Sequence, residues 1–135
     1  MSKPTTQDLA GALLAIFEGP NIRLTAYQDS GGVWTIGRGH TGPEVVEGLE
    51  CTYEQAMAWL ASDEAPLFAL LSGVPTIKAA ALASFGFNCG RGALKNLLAG
   101  ADAIDNPRHT TDKQGGVQPG LVARRRLEKM LIDLA

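Results

Sequence analysis

Two carboxylates and a hydroxyl stand out near the start of the chain. Glu18 closes an apolar stretch, Leu9–Phe17, whose residues Leu9, Leu13, Ile16 and Phe17 recur at helical spacing. A helix C-terminus carries partial negative charge, and Ile16 and Phe17 beside it keep water away. Both effects raise a carboxyl pKa, as a general acid requires. Ten residues separate Glu18 from Asp29, which sits in an Asp-Ser-Gly-Gly turn where hydration keeps it ionised. After five more comes Thr35, whose hydroxyl can hold a water. Two carboxyls in unlike environments form an acid/base pair. Taken alone, the same residue types also occupy ordinary helix ends and turns.

Other chemistries find less support. His40, His109, Cys51 and Cys89 share no metal-ligand spacing, so no metal or other cofactor is expected. Gly37-Arg38-Gly39 lacks the further glycine and helix of a dinucleotide loop. Two cysteines are too few for a disulfide framework and read as free thiols in a reduced compartment, with Cys89 a structural thiol of the core.

The formal charge of −2 argues against nucleic acid as a partner. No apolar run reaches the roughly 18 residues of a membrane span, so stable membrane insertion is not expected. Leu9–Phe17 follows Lys3, but Asp8 abuts it and no small-residue cleavage site follows. It reads as a buried helix and not a signal peptide.

Charge is unevenly placed. Glu44, Glu47, Glu50, Glu54, Asp63 and Glu64 fall in a stretch without Lys or Arg, and read as a solvated face. Arg108, Lys113, Arg124, Arg125, Arg126 and Lys129 crowd the other end against Asp112 and Glu128. That end is either another solvated face or a surface drawn to an anionic polymer.

The elements that must position these residues follow from local signals. Thr5 or Thr6 caps the first helix with help from Asp8, and Gly19-Pro20 stops it. Ile22, Leu24 and Ala26 alternate with polar residues, and glycines at 31, 32, 37, 39 and 42 predict a small antiparallel sheet with tight turns over 22–42. Thr52-Tyr53-Glu54-Gln55 is a capping box that opens a helix running towards Pro66, with Trp59 in the core. Thr76 caps a helix to about Phe87. Gly90 and Gly92 interrupt it before a short helix over 93–99. The polar stretch 102–118 reads as loop. Pro119 starts a last helix with an apolar stripe of Leu127, Met130, Leu131 and Leu134. The class is α+β. At 135 residues the chain is one domain, 1–135, with a sheet lobe at 22–42 and a helical lobe formed by 1–19 and 52–135.

Three blocks carry a family resemblance. Glu18-Gly19, Ile22 to Asp29 and Gly32 to Thr41 together closely resemble the active-site region of phage-type lysozymes, the endolysins of glycoside hydrolase family 24. Ser84 to Gly90 and Pro119 to Arg126 continue it in order. The spacing from Asp29 to Thr35 is the family's. Glu18 and Asp29 stand further apart than the family's pair, an insertion placed at Pro20-Asn21.

The resemblance implies a lysozyme-like fold and cleavage of the β-1,4 bond between N-acetylmuramic acid and N-acetylglucosamine in peptidoglycan. Glu18 would be the acid, and Asp29 with Thr35 would hold the water that inverts the sugar. Thr41 and Phe87 match glycan-contacting positions. For Phe87 the residue type alone equally suits the core. His40 matches a family histidine that pairs with an acid, here Asp63, in a structural role. The resemblance further implies a monomer that accumulates in the host cytoplasm until a holin pore releases it to the wall. Two rivals remain at this level. A lytic transglycosylase would use Glu18 alone and leave an anhydro-muramic end. A non-enzymatic protein would disrupt envelopes through the basic C-terminal helix.

Overall fold

The computed structural model describes residues 2–18, 22–112 and 114–134, with Glu18 described by its backbone alone. The helix stop at Gly19-Pro20, the insertion at Pro20-Asn21 and the base Lys113 lie outside the described residues. The chain divides into two units, one of residues 20–66 and one combining 1–19 with 67–135.

In the first unit, β1 (Arg23–Gln28) pairs antiparallel with β2 (Trp34–Gly37). Tyr27 stands opposite Thr35 and Gln28 opposite Trp34, with an irregular register between Arg23 and Tyr27. Isolated bridges join Thr25 to Glu50 and Ile36 to His40. The expected alternation in β1 does not give a buried face: Leu24 is 42% exposed. Burial instead falls on three successive residues of β2, Thr35, Ile36 and Gly37. A two-stranded ribbon with an irregular register lacks the continuous second layer that makes period-two patterning informative. Gly37 has φ +68, and a Cβ there would meet Ala56 at 3.2 Å, so this glycine permits both the turn and the close approach of the following helix.

That helix, α2 (Tyr53–Ala69), starts where the capping box places it, with Thr52 Oγ1 accepting from Gln55 N–H at 3.1 Å. It does not stop at Pro66 but runs through it for three more residues. Proline removes one helix hydrogen bond and is disfavoured in the interior. Leu67, immediately after it, is buried in the core of the second unit and holds the last turn in place.

The second unit is helical. α1 (Thr6–Glu18) is capped reciprocally: Thr5 N–H donates to Asp8 Oδ2 at 2.9 Å, and Asp8 N–H donates to Thr5 Oγ1 at 3.1 Å. α3 (Thr76–Cys89) is the central element, packed against α1, α4 (Arg91–Leu98) and α5 (Pro119–Leu134). Its cap is Pro75, without a side-chain bond, so Thr76 is its first residue and not its cap. Gly90, at φ 98, separates α3 from α4, whereas Gly92 lies inside α4. Phe85, Leu94 and Ala83 are fully buried in this core. Gly86 permits its density, since a Cβ there would meet Leu67 at 2.5 Å and Leu94 at 3.1 Å. The polar stretch 102–118 carries a 3-10 turn, Pro107–His109, and a bridge between Thr111 and Val117.

α5 departs most from expectation. Met130 and Leu134 are 61% and 77% exposed, while Arg124, Arg125 and Glu128 are buried. Leu127 and Leu131 do pack against the core, but the most buried positions of α5 form an ion cluster. The basic end is therefore not a uniform cationic face: Arg124 and Arg125 are inside, Arg108 is paired with Asp102 and Lys129 with Asp133.

Candidate active site

The turn after β1 is built around Asp29. Its Oδ1 accepts from the backbone N–H of Gly31 at 2.8 Å and of Val33 at 2.9 Å. Its own N–H donates to Val33 O and its carbonyl accepts from Gly32 N–H. Gly32 takes φ +81, which a side chain would resist. Thr35, one pleat further along, is buried, and its Oγ1 donates to Val33 O at 2.9 Å. Val33 thus holds both side chains, the carboxylate through its N–H and the hydroxyl through its carbonyl. Asp29 Oδ2 takes part in neither turn bond.

Glu18 is the last residue of α1 in the other unit. Its neighbour Phe17 lies under Arg124, whose guanidinium carbon is 4.9 Å from the ring centre. Phe17, Asn88, Gln118, Leu121 and Arg124 line a concavity of about 690 Å³ in the helical unit. Phe87 packs on the helical core, edge-on to Phe68 with ring centres 6.0 Å apart, and is half-buried. Thr41 is exposed, immediately after His40.

His40 and Asp63 do meet, with Nδ1 to Oδ2 at 2.7 Å. Two further members of that cluster were not anticipated. Glu44 Oε1 approaches Nε2 at 2.6 Å, and Trp59, expected in the core, lies flat on the imidazole. Glu44 stands four residues after His40, a spacing that could have suggested it. Burial works against the charged imidazole, but the hydrogen bonds it donates to Asp63 and Glu44 outweigh it and raise the His40 pKa above 6.5. Next door, Glu64 is not part of a solvated face. Burial, with the Asp63 charge, pushes its carboxyl up to about 7 against the opposing pull of Arg38, and its Oε1 is buried without a hydrogen-bond partner.

The α5 cluster closes the helical unit from inside. Glu128 Oε2 accepts from Ser84 Oγ at 2.5 Å and from Arg125 Nη2 at 3.2 Å, and Arg124 Nη2 donates to Ser84 O at 2.8 Å. Arg125 Nε and Glu128 Oε1 are 2.7 Å apart, close enough for ion pairing but without hydrogen-bond geometry. Burial raises the Glu128 carboxyl in spite of the two guanidinium groups. Cys89 is half-buried, accepts from Arg125, and is pushed up by burial, which is the behaviour of an inert thiol. Cys51 and Cys89 are both unpaired.

Residues 15–128 match the family model described as phage lysozyme. The chain belongs to the phage lysozyme family. It is 37% identical to an endolysin of Acyrthosiphon pisum secondary endosymbiont phage 1, over 91% of this chain and 94% of that one. It is 35% identical to a SAR-endolysin of Escherichia phage Mu, over 84% of this chain and 74% of that one. Among solved structures it resembles the muramidase domain of SpmX from Asticaccaulis excentricus, with a TM-score of 0.71, 31% identity and coverage of 96% and 98% of the two chains. It also resembles the endolysin of Escherichia coli O157:H7 phage FAHEc1, with a TM-score of 0.70, 26% identity and coverage of 97% and 94%.

As a phage lysozyme the chain is a glycoside hydrolase, its polymer is peptidoglycan, and its fold is the lysozyme-like α+β fold. Among the described residues no helix of this phage lysozyme is long and apolar enough to cross a membrane.

Proposed function

We propose that this phage lysozyme hydrolyses the β-1,4 bond between N-acetylmuramic acid and N-acetylglucosamine with inversion, for lysis of the host cell. Glu18 protonates the leaving oxygen. Asp29 takes a proton from a water that Thr35 holds on the opposite face of the sugar. Thr41 and Phe87 contact the glycan. The enzyme acts as a monomer, held in the cytoplasm until a holin pore releases it to the wall.

The observation that carries this reading is the division of labour around Val33. Two backbone N–H groups fix one oxygen of Asp29, while Oδ2 stays out of those bonds and can take the proton. The Thr35 hydrogen is spent on Val33 O, so its oxygen is an acceptor for the same water. A buried, fixed hydroxyl and a fixed carboxylate held by one residue suit positioning of a small nucleophile.

Proton NMR of the first-formed reducing end tests the reading. An α-anomer is expected. A β-anomer, or an anhydro-muramic end formed without water, overturns it.

A further inference from the structure

Ile36 and His40 exchange both backbone hydrogen bonds, each at 2.9 Å, and close a short turn, Gly37-Arg38-Gly39. Both glycines stand at positive φ, +68 and +86. Glycine has the most freedom to regain, so this turn has little stiffness of its own. What places it is α2. A Cβ on Gly37 would meet Ala56 at 3.2 Å, whereas one on Gly39 would meet nothing within 4 Å. Ala56, Trp59, Asp63 and Glu64 recur on α2 at helical spacing and form the face that the turn meets.

The side chains on either side of Gly39 make the remaining contacts. His40 lies flat on Trp59, and its cationic form donates to Asp63 Oδ2 at 2.7 Å and to Glu44 Oε1 at 2.6 Å. Arg38 acts electrostatically on Glu64, the neighbour of Asp63. With His40 cationic and Glu64 protonated, the cations Arg38 and His40 face the carboxylates of Glu44 and Asp63. With His40 neutral and Glu64 ionised, Arg38 alone faces Glu44, Asp63 and Glu64. Glu64 Oε1 is also buried without a hydrogen-bond partner, so its charge lacks a donor there while the turn is seated. Water that enters when the turn lifts supplies one.

We propose that the turn is a strap with Glu64 as its trigger: it is closed on α2 while Glu64 is protonated and lifts locally when Glu64 ionises beside Asp63. Linkage gives the direction. The Glu64 carboxyl titrates at about 7 with the strap closed and returns towards 4.5 in water, so lifting is favoured progressively as pH climbs from 4.5 through about 7. His40, raised above 6.5 when closed, adds to lifting in the same direction above 6.5. Thr41, the next residue, travels with the strap. The device does not depend on which bond the enzyme cleaves, and its test reads backbone exchange and not turnover.

Hydrogen exchange of the full chain, followed by NMR over a pH series from 5 to 7 and expressed as protection factors, tests the strap at the Ile36 and His40 amides. Phe85, buried in α3, is the reference for global unfolding. Protection of Ile36 and His40 should fall by about tenfold or more across that range and stay below that of Phe85 throughout. Glu64→Gln should reduce the fall to about threefold or less, the share left to His40. Glu54→Gln, which removes an exposed charge from the same helix, should leave the fall as in wild type. Arg38→Gln takes away the pull that lowers Glu64 and should move the midpoint of the fall to higher pH. Circular dichroism confirms that each variant is folded. Constant protection in wild type, an equal fall in Glu64→Gln, an effect of Glu54→Gln as large as that of Glu64→Gln, or an unmoved midpoint in Arg38→Gln overturns the proposal. Protection of Ile36 and His40 equal to that of Phe85 overturns it too, since the opening would then be global.

Discussion

The His40 imidazole lies flat on Trp59, with 4.5 Å between ring centres and 4° between planes, while its nitrogens face Asp63 and Glu44. A charged imidazole gains on all three sides, from two carboxylates and from the indole face. Its folded pKa is raised above 6.5. The stabilisation is therefore fully present below 6.5 and is lost as pH rises through the folded value. Asp63→Asn should lower the melting temperature near pH 5.5 more than near pH 9, with low-temperature activity largely retained. Equal losses at both pH values would reject the pairing, as would no loss at either.

Glu64 has the opposite dependence. Its carboxyl titrates at about 7 in the fold, against 4.5 as the ordinary value. A carboxyl raised on folding is harmless below its unfolded pKa and becomes a liability as pH climbs through the folded one. Solvent screening of a half-buried group leaves about 1–2 kcal/mol of that liability. Glu64→Gln should raise the midpoint of thermal unfolding by several degrees at pH 9 and leave it unchanged at pH 4. A gain of the same size at pH 4 would mean that packing, and not charge, is responsible. Asp63 contributes to raising Glu64, so Asp63→Asn relieves part of this cost at alkaline pH and widens the contrast between the two pH values.

Glu128 holds two buried guanidinium groups on one fully buried carboxylate. Glu128→Ala leaves both charges without their counterion in the core. Removing one partner of such a set costs about 3–5 kcal/mol. Urea unfolding should show a midpoint lowered by the equivalent of that loss, with an unchanged slope. A loss under about 1 kcal/mol, the range of an exposed ion pair, would show that water reaches the cluster.

What the sequence alone reveals divides by the range of the interaction. The Thr52–Gln55 cap, the Thr5–Asp8 cap and the Asp29 turn are written in neighbouring residues, and each appears as expected. Of the expected α5 stripe, Leu127 and Leu131 reach the core while Met130 and Leu134 do not, because helical spacing selects a face but does not say what fills it. Arg124, Arg125 and Glu128 lie on the buried face, and only their mutual pairing makes burial tolerable. The alternation of Ile22, Leu24 and Ala26 marks the strand but not a buried face, since Leu24 stands 42% exposed. Pro66 passes through α2 because Leu67 beyond it has a core to fill.

The candidate site shows the same division. Asp29 and Thr35 are joined through Val33 within one short hairpin, where type and spacing suggest a pair that the family resemblance singles out. His40 and Asp63 are 23 positions apart, and only the family resemblance linked them. Glu44, at four residues from His40, was within reach of a spacing argument. The pairing of Asp102 with Arg108 and His109 was not, because loop residues carry no periodicity from which contacts can be inferred.

In the proposed reaction Glu18 supplies the proton on which glycan cleavage depends. The most direct test of that role is the turnover of purified peptidoglycan by wild type and Glu18→Gln side by side, with the melting temperature of each recorded. The amide cannot donate that proton, and general acid catalysis contributes about 10²–10⁴-fold. An unchanged fold and turnover reduced by at least about a hundredfold are expected. A folded Glu18→Gln variant that keeps more than about a tenth of wild-type turnover would contradict that role.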